Sequence, residues 1–290
     1  MDVADQLIRI FCDIDEFCKE LDSYTQHKLL SGPSKNPRGP ACQLALSEIM
    51  TILVMFHFIR FRDFKTFYIG YLEKYWRSYF PKLPSYNRFI ELIPRAIFPL
   101  TLFTHIQGGK RTGIYYIDSS CLPVCHLKRH RRHKTFEDIA SFGRTSVSWF
   151  FGLKLHLVTN EQGELIAFKI TTGSASDGKC AESLLIALQG LAFGDKGYLE
   201  KKLFETLLQK GLKLITRKRK NMKPMELSEY EKQLLNQRNI IETVINHLKH
   251  HYQVWHTRHR SVVNAMTHLV SSLAAYAIEP LKLSAIKLLA

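Results

Sequence analysis

Residues 148–173 read SWFFGLKLHLVTNEQGELIAFKITTG, and this stretch decides which kind of fold to expect. Its first half alternates apolar with other side chains, which is typical of a β-strand with one buried face. The apolar members of that alternation are Phe151, Leu153, Leu155 and Leu157. Residues 160–163, NEQG, favour a turn, and the apolar run after them returns as a second strand. The stretch therefore predicts a β-hairpin within a sheet.

Segments on both sides of the hairpin extend the predicted sheet. A β-branched and aromatic run, GIYYIDSS, covers residues 113–120, and shorter apolar runs follow at residues 191–193 and 212–218. Helical patterns separate these runs, one starting at Ser176 or Asp177 and one covering residues 199–209. This order predicts an α/β fold, in which a mixed sheet carries helices on its faces. In such sheets, functional sites form at strand ends.

The region before the sheet has a helical pattern. Residues 1–30 place apolar side chains on one side of a helix, and a Pro/Gly-rich loop follows at residues 31–40. Ser47 is a plausible N-cap for the next helix, and a short helix is predicted after Ser85. Its polar tip carries Tyr86 and Arg88. Short helices joined by tight turns resemble a helix-turn-helix arrangement, and a helical bundle without a DNA role is an equal alternative.

The predicted domains are therefore a helical DNA-binding region at residues 1–105 and a mixed-sheet domain at residues 106–290. The chain has 290 residues, and 41 Lys and Arg against 26 Asp and Glu give a formal net charge of +15. Such an excess indicates a polyanionic partner, with nucleic acid favoured over a membrane surface. No apolar run reaches about 18 residues without a charge, so a membrane-spanning helix is not expected. Neither a signal peptide nor a disulfide framework is indicated, which favours the cytosol.

Three acidic residues stand out by position. Asp118 ends the first strand, and Asp195 follows the short strand at residues 191–193 with a glycine on either side. Glu242 lies within LLNQRNIIETVINHLKHHY, residues 234–252, which is predicted to form one helix. Three converging carboxylates typically hold two Mg²⁺ or Mn²⁺ ions for phosphoryl transfer. Taken singly, an Asp after a strand is more often a turn or cap residue.

The predicted helix at residues 234–252 carries cations beside its acid. Arg238, Glu242 and Lys249 fall on one face by their spacing. An ordinary surface ion-pair ladder is the alternative reading of that face. Glu226, Glu229 and Glu231 are rival third acids, but they lie near the loop before the helix and lack the Arg and Lys pair.

Two basic runs are predicted to contact the DNA backbone, with a solvated loop as the alternative for each. The first follows the Asp118 strand and contains Lys128, Arg129, Arg131 and Arg132. The second contains Arg217, Lys218, Arg219 and Lys220. A zinc site is a minor alternative near the first run, and its ligands would be Cys121, Cys125, His126, His130 and His133. Asp177 is expected to be a helix N-cap rather than a catalytic group.

These motifs together resemble bacterial insertion-sequence transposases of the DDE class. YIDSSCLPVCH, residues 116–126, is similar to the strand that carries their first Asp, and FGDKGY, residues 193–198, is similar to the second motif. The third motif of related families has the form Y-(2)-R-(3)-E-(6)-K. Arg238, Glu242 and Lys249 fit that spacing, while Leu235 replaces the Tyr. The resemblance is best to the family numbered nine-eight-two, which is related to those numbered four and five.

The resemblance implies an RNase H-like catalytic domain in which Asp118, Asp195 and Glu242 bind two Mg²⁺ or Mn²⁺ ions. It implies that Arg238 and Lys249 contact DNA near the cut. The expected protein is a cytoplasmic, nucleoid-associated transposase that binds the terminal inverted repeats of its element, cleaves DNA and transfers the strand, without a membrane. It is expected to act as a homodimer or higher multimer on paired ends. A related nuclease without strand transfer and a non-catalytic DNA-binding protein are the alternatives.

Overall fold

A computed structural model of the chain describes residues 2–28, 43–145, 147–217, 226–255, 259–280 and 282. The chain divides into two compact units. The helical unit comprises Met1–Ile106, His251–Gln253 and Ser261–Tyr276. The sheet unit comprises Gln107–His250, Val254–Arg260 and Ala277–Ala290. Two later stretches of the chain thus belong to the helical unit, although the strands of the sheet unit precede them in sequence.

The helical unit is built around a core of aromatic side chains. Phe64, Phe67, Tyr68 and Phe89 are buried, and their rings contact one another in tilted and stacked pairs. Such pairs stabilise the core beyond the burial of their area. The elements that carry this core are α1 (Val3–Lys28), α2 (Leu46–Ile59), a π-helical segment (Thr66–Leu72), α3 (Glu73–Tyr75), α4 (Tyr86–Leu92), a 3₁₀ turn (Ile93–Ala96), α5 (Ile97–Ile106) and α10 (Val262–Ile278).

The start of α2 differs from the sequence prediction. Ala45 holds the N-cap position, and its backbone N–H donates to Glu48 at 2.7 Å. Ser47 lies inside the first turn, where its hydroxyl donates to Asp15 of α1 at 2.7 Å. The Ser47 hydroxyl therefore binds a residue of another helix, whereas the sequence pattern predicted that it would cap α2.

The segment Tyr86–Ile106 is long and apolar enough to cross a membrane by length and composition alone. Its apolar window has a mean hydropathy of 1.3, and 44% of that window is buried inside the protein. The core helices of soluble proteins meet the same criterion, so this property is weak evidence for a span.

The sheet unit contains six strands in one mixed sheet. β2 and β4 pair with successive parts of β3 along the same edge, and β1 pairs antiparallel with β3 on its other edge. β5 and β6 then continue the sheet parallel to β1. The bounds are β1 (Ile114–Cys125), β2 (Ser141–Arg144), β3 (Trp149–Asn160), β4 (Leu165–Thr172), β5 (Gly190–Gly194) and β6 (Leu212–Thr216). The predicted hairpin is the β3–β4 pair.

Helices cover both faces of this sheet. On one face, α6 (Asp177–Leu185) and α7 (Lys201–Gln209) enclose an apolar core that includes Ile117 and Val158. On the opposite face, α9 (Asn239–His250) contacts β1 and β3. The Tyr116 hydroxyl donates to the carbonyl of Leu234 in α8 (Glu229–Asn236) on that same face. The predicted mixed α/β fold with a helical N-terminal region is confirmed at this level.

Candidate functional site

Asp118 lies in the middle of β1, on the sheet face that α9 covers. It does not end the strand as predicted, because the pairing of β1 with β3 continues to Cys125. Because successive strand residues alternate between faces, Asp118 shares its face with Tyr116, while Ile117 points into the opposite core. Its side chain is 22% exposed, and the backbone N–H of Ser119 donates to it at 2.8 Å. Burial, together with the charges of Glu242 and Asp195, raises the pKa of Asp118 to about 6, although the Ser119 N–H and Arg238 act in the opposite direction. The three acids therefore influence one another electrostatically.

Asp195 directly follows β5, which lies next to β1. The parallel register pairs Tyr116 with Phe193, so continuing it by two residues brings Asp195 level with Asp118 on the neighbouring strand. Adjacent strands lie about 4.8 Å apart. Asp195 is exposed and precedes a single 3₁₀ turn, Lys196–Tyr198. The strand register thus brings the first two predicted acids together.

Tyr198 and Gly194 fix the backbone on either side of Asp195. The N–H of Tyr198 donates to the Asp195 carbonyl at 3.1 Å, which closes the 3₁₀ turn. A Cβ atom on Gly194 would lie 3.0 Å from the Tyr198 ring and 3.1 Å from Ile117. The glycine beside Asp195 therefore allows the buried Tyr198 ring to lie against the end of β5.

The sequence pattern predicted that Glu242 lies in the middle of a helix. In the structure, Glu242 lies in the first turn of α9. The stretch 234–252 is not one helix, because α8 ends at Asn236 and α9 begins at Asn239. The polar run at residues 236–239 favours this break, since Asn competes for backbone hydrogen bonds and is a poor helix former. The N-terminal location suits a carboxylate, because the helix dipole is positive there.

Arg238, in the turn between α8 and α9, links two of the acids. One guanidinium nitrogen lies 3.5 Å from the Asp118 carboxylate, and the other donates to Glu242. The Arg238 side chain is 11% exposed, so the shared cation is largely shielded from water. The ion pair between Arg238 and Glu242, which the alternative reading of this face expected, therefore forms, and Arg238 also reaches Asp118 on the sheet.

The chemistry of the three side chains fits a hard divalent cation, because each offers carboxylate oxygens. One guanidinium pairs with two of the three acids, so three ionised carboxylates beside this single cation would carry a net negative charge. Within the described residues, no group of three or more His, Cys, Asp or Glu side chains is already spaced to hold a metal ion. Metal binding here would require Glu242 to turn from Arg238 toward Asp118 and Asp195.

Residues 108–262 match the sequence model of a transposase DDE domain. The matched segment runs from just before β1 to the start of α10 and contains all three acids. The chain belongs to this transposase DDE domain family. No curated protein and no solved structure matches the chain significantly. Membership of the family supports a transposase and a polynucleotidyl transferase type of enzyme.

In this DDE domain, Lys249 lies two turns after Glu242 on α9. Its ammonium group is 4.8 Å from the centre of the Trp255 ring, which is a cation–π distance. Trp255 is 43% exposed, so the pair is accessible from solvent. Sequence reasoning identified Lys249 but missed Trp255, because a residue after the helix has no fixed spacing to it.

The first basic run forms a 3₁₀ helix, Leu127–Arg132, and its four predicted DNA contacts are exposed. Arg217, just after β6, is also exposed, whereas Lys218, Arg219 and Lys220 lie outside the described residues. In the helical unit, Tyr86 contacts the ring of Tyr68, and Arg88 is exposed and pairs with Glu91 at 2.6 Å. The exposure and partners of these side chains do not by themselves test whether they contact DNA.

The rival third acids have other environments. Glu231 completes a capping box with Ser228 at the start of α8 and also accepts from Lys213 at 2.5 Å. Glu229 is exposed and pairs with Lys232 at 2.6 Å. Glu226 is exposed before α8. The structure thus gives Glu231 a structural role at the helix start.

The zinc alternative finds no support among the described side chains, since none of them forms a group suited to a metal. His126 accepts from the Lys128 N–H at 3.3 Å, and the His130 ring lies 4.8 Å from Phe142. The His133 ring stacks on Phe136. These histidines therefore have structural contacts of their own.

A buried polar cluster on the α6 face of the sheet was missed by sequence reasoning. Ser176 holds the N-cap position of α6, and Asp177 instead pairs with Lys154 at 3.1 Å and lies 3.7 Å from His156. His156 is fully buried, and its Nε2 lies 2.9 Å from Thr171. Burial lowers the pKa of His156 to about 4. Only the strand register brings these residues together, so their spacing in sequence gave no signal.

Proposed function

We propose that the chain is an insertion-sequence transposase that cleaves DNA at the ends of its element and joins them to target DNA. The observation that supports this proposal is that Arg238 pairs with both Asp118 and Glu242, and that the charge of Asp195 acts on Asp118, inside a transposase DDE domain. Three carboxylates and one cation suit a phosphodiester reaction, because both negative ligands for metals and a positive partner for phosphate are present.

In this proposal, Asp118, Asp195 and Glu242 hold two Mg²⁺ or Mn²⁺ ions. Bound there, such ions supply Lewis-acid activation of the scissile phosphate and of the attacking water or 3′-hydroxyl. Arg238 is within reach of both Asp118 and Glu242, so it can exchange a carboxylate for a DNA phosphate without a large movement. Lys249, held over Trp255, provides a second phosphate contact on the same helix face.

The finer assignments belong to this proposal. The strand order, in which β1, β2 and β4 pair antiparallel with β3 while β5 and β6 continue parallel to β1, supports an RNase H-like domain. The spacing of Arg238, Glu242 and Lys249 supports the insertion-sequence family numbered nine-eight-two. We further propose that the protein is cytoplasmic and nucleoid-associated, binds the terminal inverted repeats through its helical region, and acts as a homodimer or higher multimer on paired ends.

A combined cleavage and joining assay tests the proposal. The full chain is incubated with Mg²⁺ or Mn²⁺, a labelled duplex carrying the inverted repeat that flanks the gene, and a supercoiled target plasmid. We expect cleavage at the repeat end and a labelled product joined to the plasmid, with neither product in chelator. Cleavage without joining of pre-cut ends would instead identify a nuclease, and DNA binding with neither product a non-catalytic protein.

A further inference from the structure

The hairpin formed by β2 and β3 exposes large apolar side chains at its tip. We define the hairpin tip as Phe142, Arg144, Val147 and Trp149. Val147 is 92% exposed, Trp149 is 56% exposed and Phe142 is 44% exposed. Exposing a tryptophan to water is unfavourable, and a grouped set of exposed apolar side chains commonly marks a binding surface.

The strand register places the tip's aromatic and basic groups on one face. Arg144 faces Trp149, and Phe142 faces Phe151, across the antiparallel β2–β3 pair. The Arg144 guanidinium carbon lies 5.8 Å from the centre of the Trp149 ring. A cation held beside an aromatic ring leaves the rest of the ring free for a flat ligand and adds a positive charge next to it.

The basic 3₁₀ helix lies against this same face. His130, in the middle of that helix, contacts the rings of Phe142 and Phe151 at 4.8 and 5.8 Å. Its Nδ1 also lies 2.8 Å from the Leu127 carbonyl, which fixes the ring. His130 therefore anchors the basic helix to the aromatic face, and the neighbouring cations remain exposed.

Those cations have no acidic partners nearby. In the part of the chain that the structure describes, none of Lys128, Arg129, Arg131 and Arg132 forms an ion pair. A dense set of unpaired cations attracts a polyanion, and the adjoining Trp149 ring offers a surface for stacking. A second copy of this chain is a poorer occupant, because a two-fold contact would bring the same cations face to face.

We propose that the hairpin tip is a stacking platform for unpaired nucleobases of DNA, with Trp149 as the stacking ring and the basic helix as the backbone contact. A stacked duplex has no free base face, so the tip would select single-stranded or locally opened DNA. This proposal depends on the proposed function in one respect only, which is that the partner is DNA. Leu157, which pairs with Asp118, is eight residues from Trp149 along β3, a distance of about 26 Å.

Binding measurements on the full chain test the platform. The probe is a fluorescent 20-nucleotide single strand, compared with the matching duplex, by anisotropy in chelator to prevent cleavage. Trp149→Ala should weaken single-strand binding by about tenfold or more, because stacking on one aromatic side chain contributes that much. Trp149→Phe should restore most of the affinity. Duplex affinity and the salt dependence should stay unchanged, since no charge is removed. Tyr75→Ala, an equally exposed aromatic in the helical unit, is the control.

Three results would overturn the platform. Single-strand affinity of Trp149→Ala could equal that of the wild type, or the loss could be equal on single strand and duplex. Light scattering could also show that the variant loses a multimer while it keeps single-strand affinity, which would make the tip a protein interface. A chain that fails to cleave DNA but shows the tip-dependent preference would refute the transposase proposal and leave the platform intact.

Discussion

His156 shows how a single buried residue couples this fold to pH. Its pKa of about 4 lies below the ordinary value of 6.5, so the folded protein binds the proton less well than the unfolded chain. The stabilising contribution is therefore complete above pH 6.5 and is lost as the pH falls toward 4. Asp177 faces His156 from α6, and Lys154 and Lys169 approach it from the sheet.

We expect His156→Gln to lose less stability on acidification than the wild type, because Gln can still contact Thr171 but cannot become charged. The difference should be about 2 kcal/mol between pH 7.5 and 5. Urea unfolding at both pH values measures it. His250→Gln, on the exposed end of α9, should keep the wild-type dependence. Equal pH dependence in wild type and His156→Gln would refute the buried-histidine account.

Asp118 shifts stability in the opposite direction. Its pKa of about 6 exceeds the ordinary 3.8, so an ionised Asp118 destabilises the metal-free protein once the pH rises above that range. Asp118→Asn should therefore raise the free energy of unfolding by about 1–3 kcal/mol at pH 7.5 in chelator and have little effect at pH 4. A variant that is less stable than the wild type at pH 7.5 would show that the pair with Arg238 outweighs burial.

Sequence alone could predict the residues whose position follows from their own strand or helix. Asp118 and Asp195 follow apolar runs, and Arg238 lies one helical turn from Glu242. The bridge from Arg238 to Asp118 could not be predicted, because it depends on how α9 lies against β1. The cluster around His156 depends in the same way on the β3–β4 register.

At the scale of elements, the helix break between α8 and α9 and the anchored 3₁₀ helix matter most. Apolar residues with helical spacing continue across residues 234–252, so the sequence pattern did not indicate the break. The break places Arg238 at the start of α9 rather than in its interior. The basic run was visible in sequence, but its anchor on Phe142 was not, because residues 130 and 142 belong to separate elements.

The exposed basic helix should provide sequence-independent affinity for duplex DNA. Replacing Lys128, Arg129, Arg131 and Arg132 with Ala should weaken binding to all sequences and flatten the salt dependence by up to about 0.9 per lost phosphate contact. The control replaces four exposed lysines on α6, α7 and just after it: Lys179, Lys201, Lys202 and Lys210. Anisotropy titrations over a range of salt give both slopes. Loss confined to the repeat end would instead mean that the basic helix reads bases.

At the scale of the whole molecule, the net charge of +15 indicated a polyanionic partner before any element was assigned. The first stretch of the helical unit ends at Ile106. Its later stretch, Ser261–Tyr276, could not be assigned from sequence, since an apolar helix after a sheet fits either unit.

We expect the helical unit to recognise the repeat end, with Arg88 among its contacts. Arg88→Ala in the full chain should reduce the preference for the repeat over random duplex by about 5- to 100-fold, the range for one lost base contact. Arg95→Ala, also exposed and seven residues further along α4 and the 3₁₀ turn, is the matched control. Competition binding measures the preference. An unchanged preference in Arg88→Ala would remove this residue from recognition.

The central claim is that Glu242 completes a catalytic site with Asp118 and Asp195. Cleavage and joining of labelled repeat ends by Glu242→Gln, compared with Glu229→Gln, tests it most directly, because Glu229 is also an exposed, ion-paired carboxylate. We predict that Glu242→Gln loses both reactions while its DNA affinity stays equal or rises slightly, since one negative charge near phosphate is removed. Glu229→Gln should remain active. Near-normal cleavage by Glu242→Gln, together with loss of cleavage by Glu229→Gln, would contradict the account.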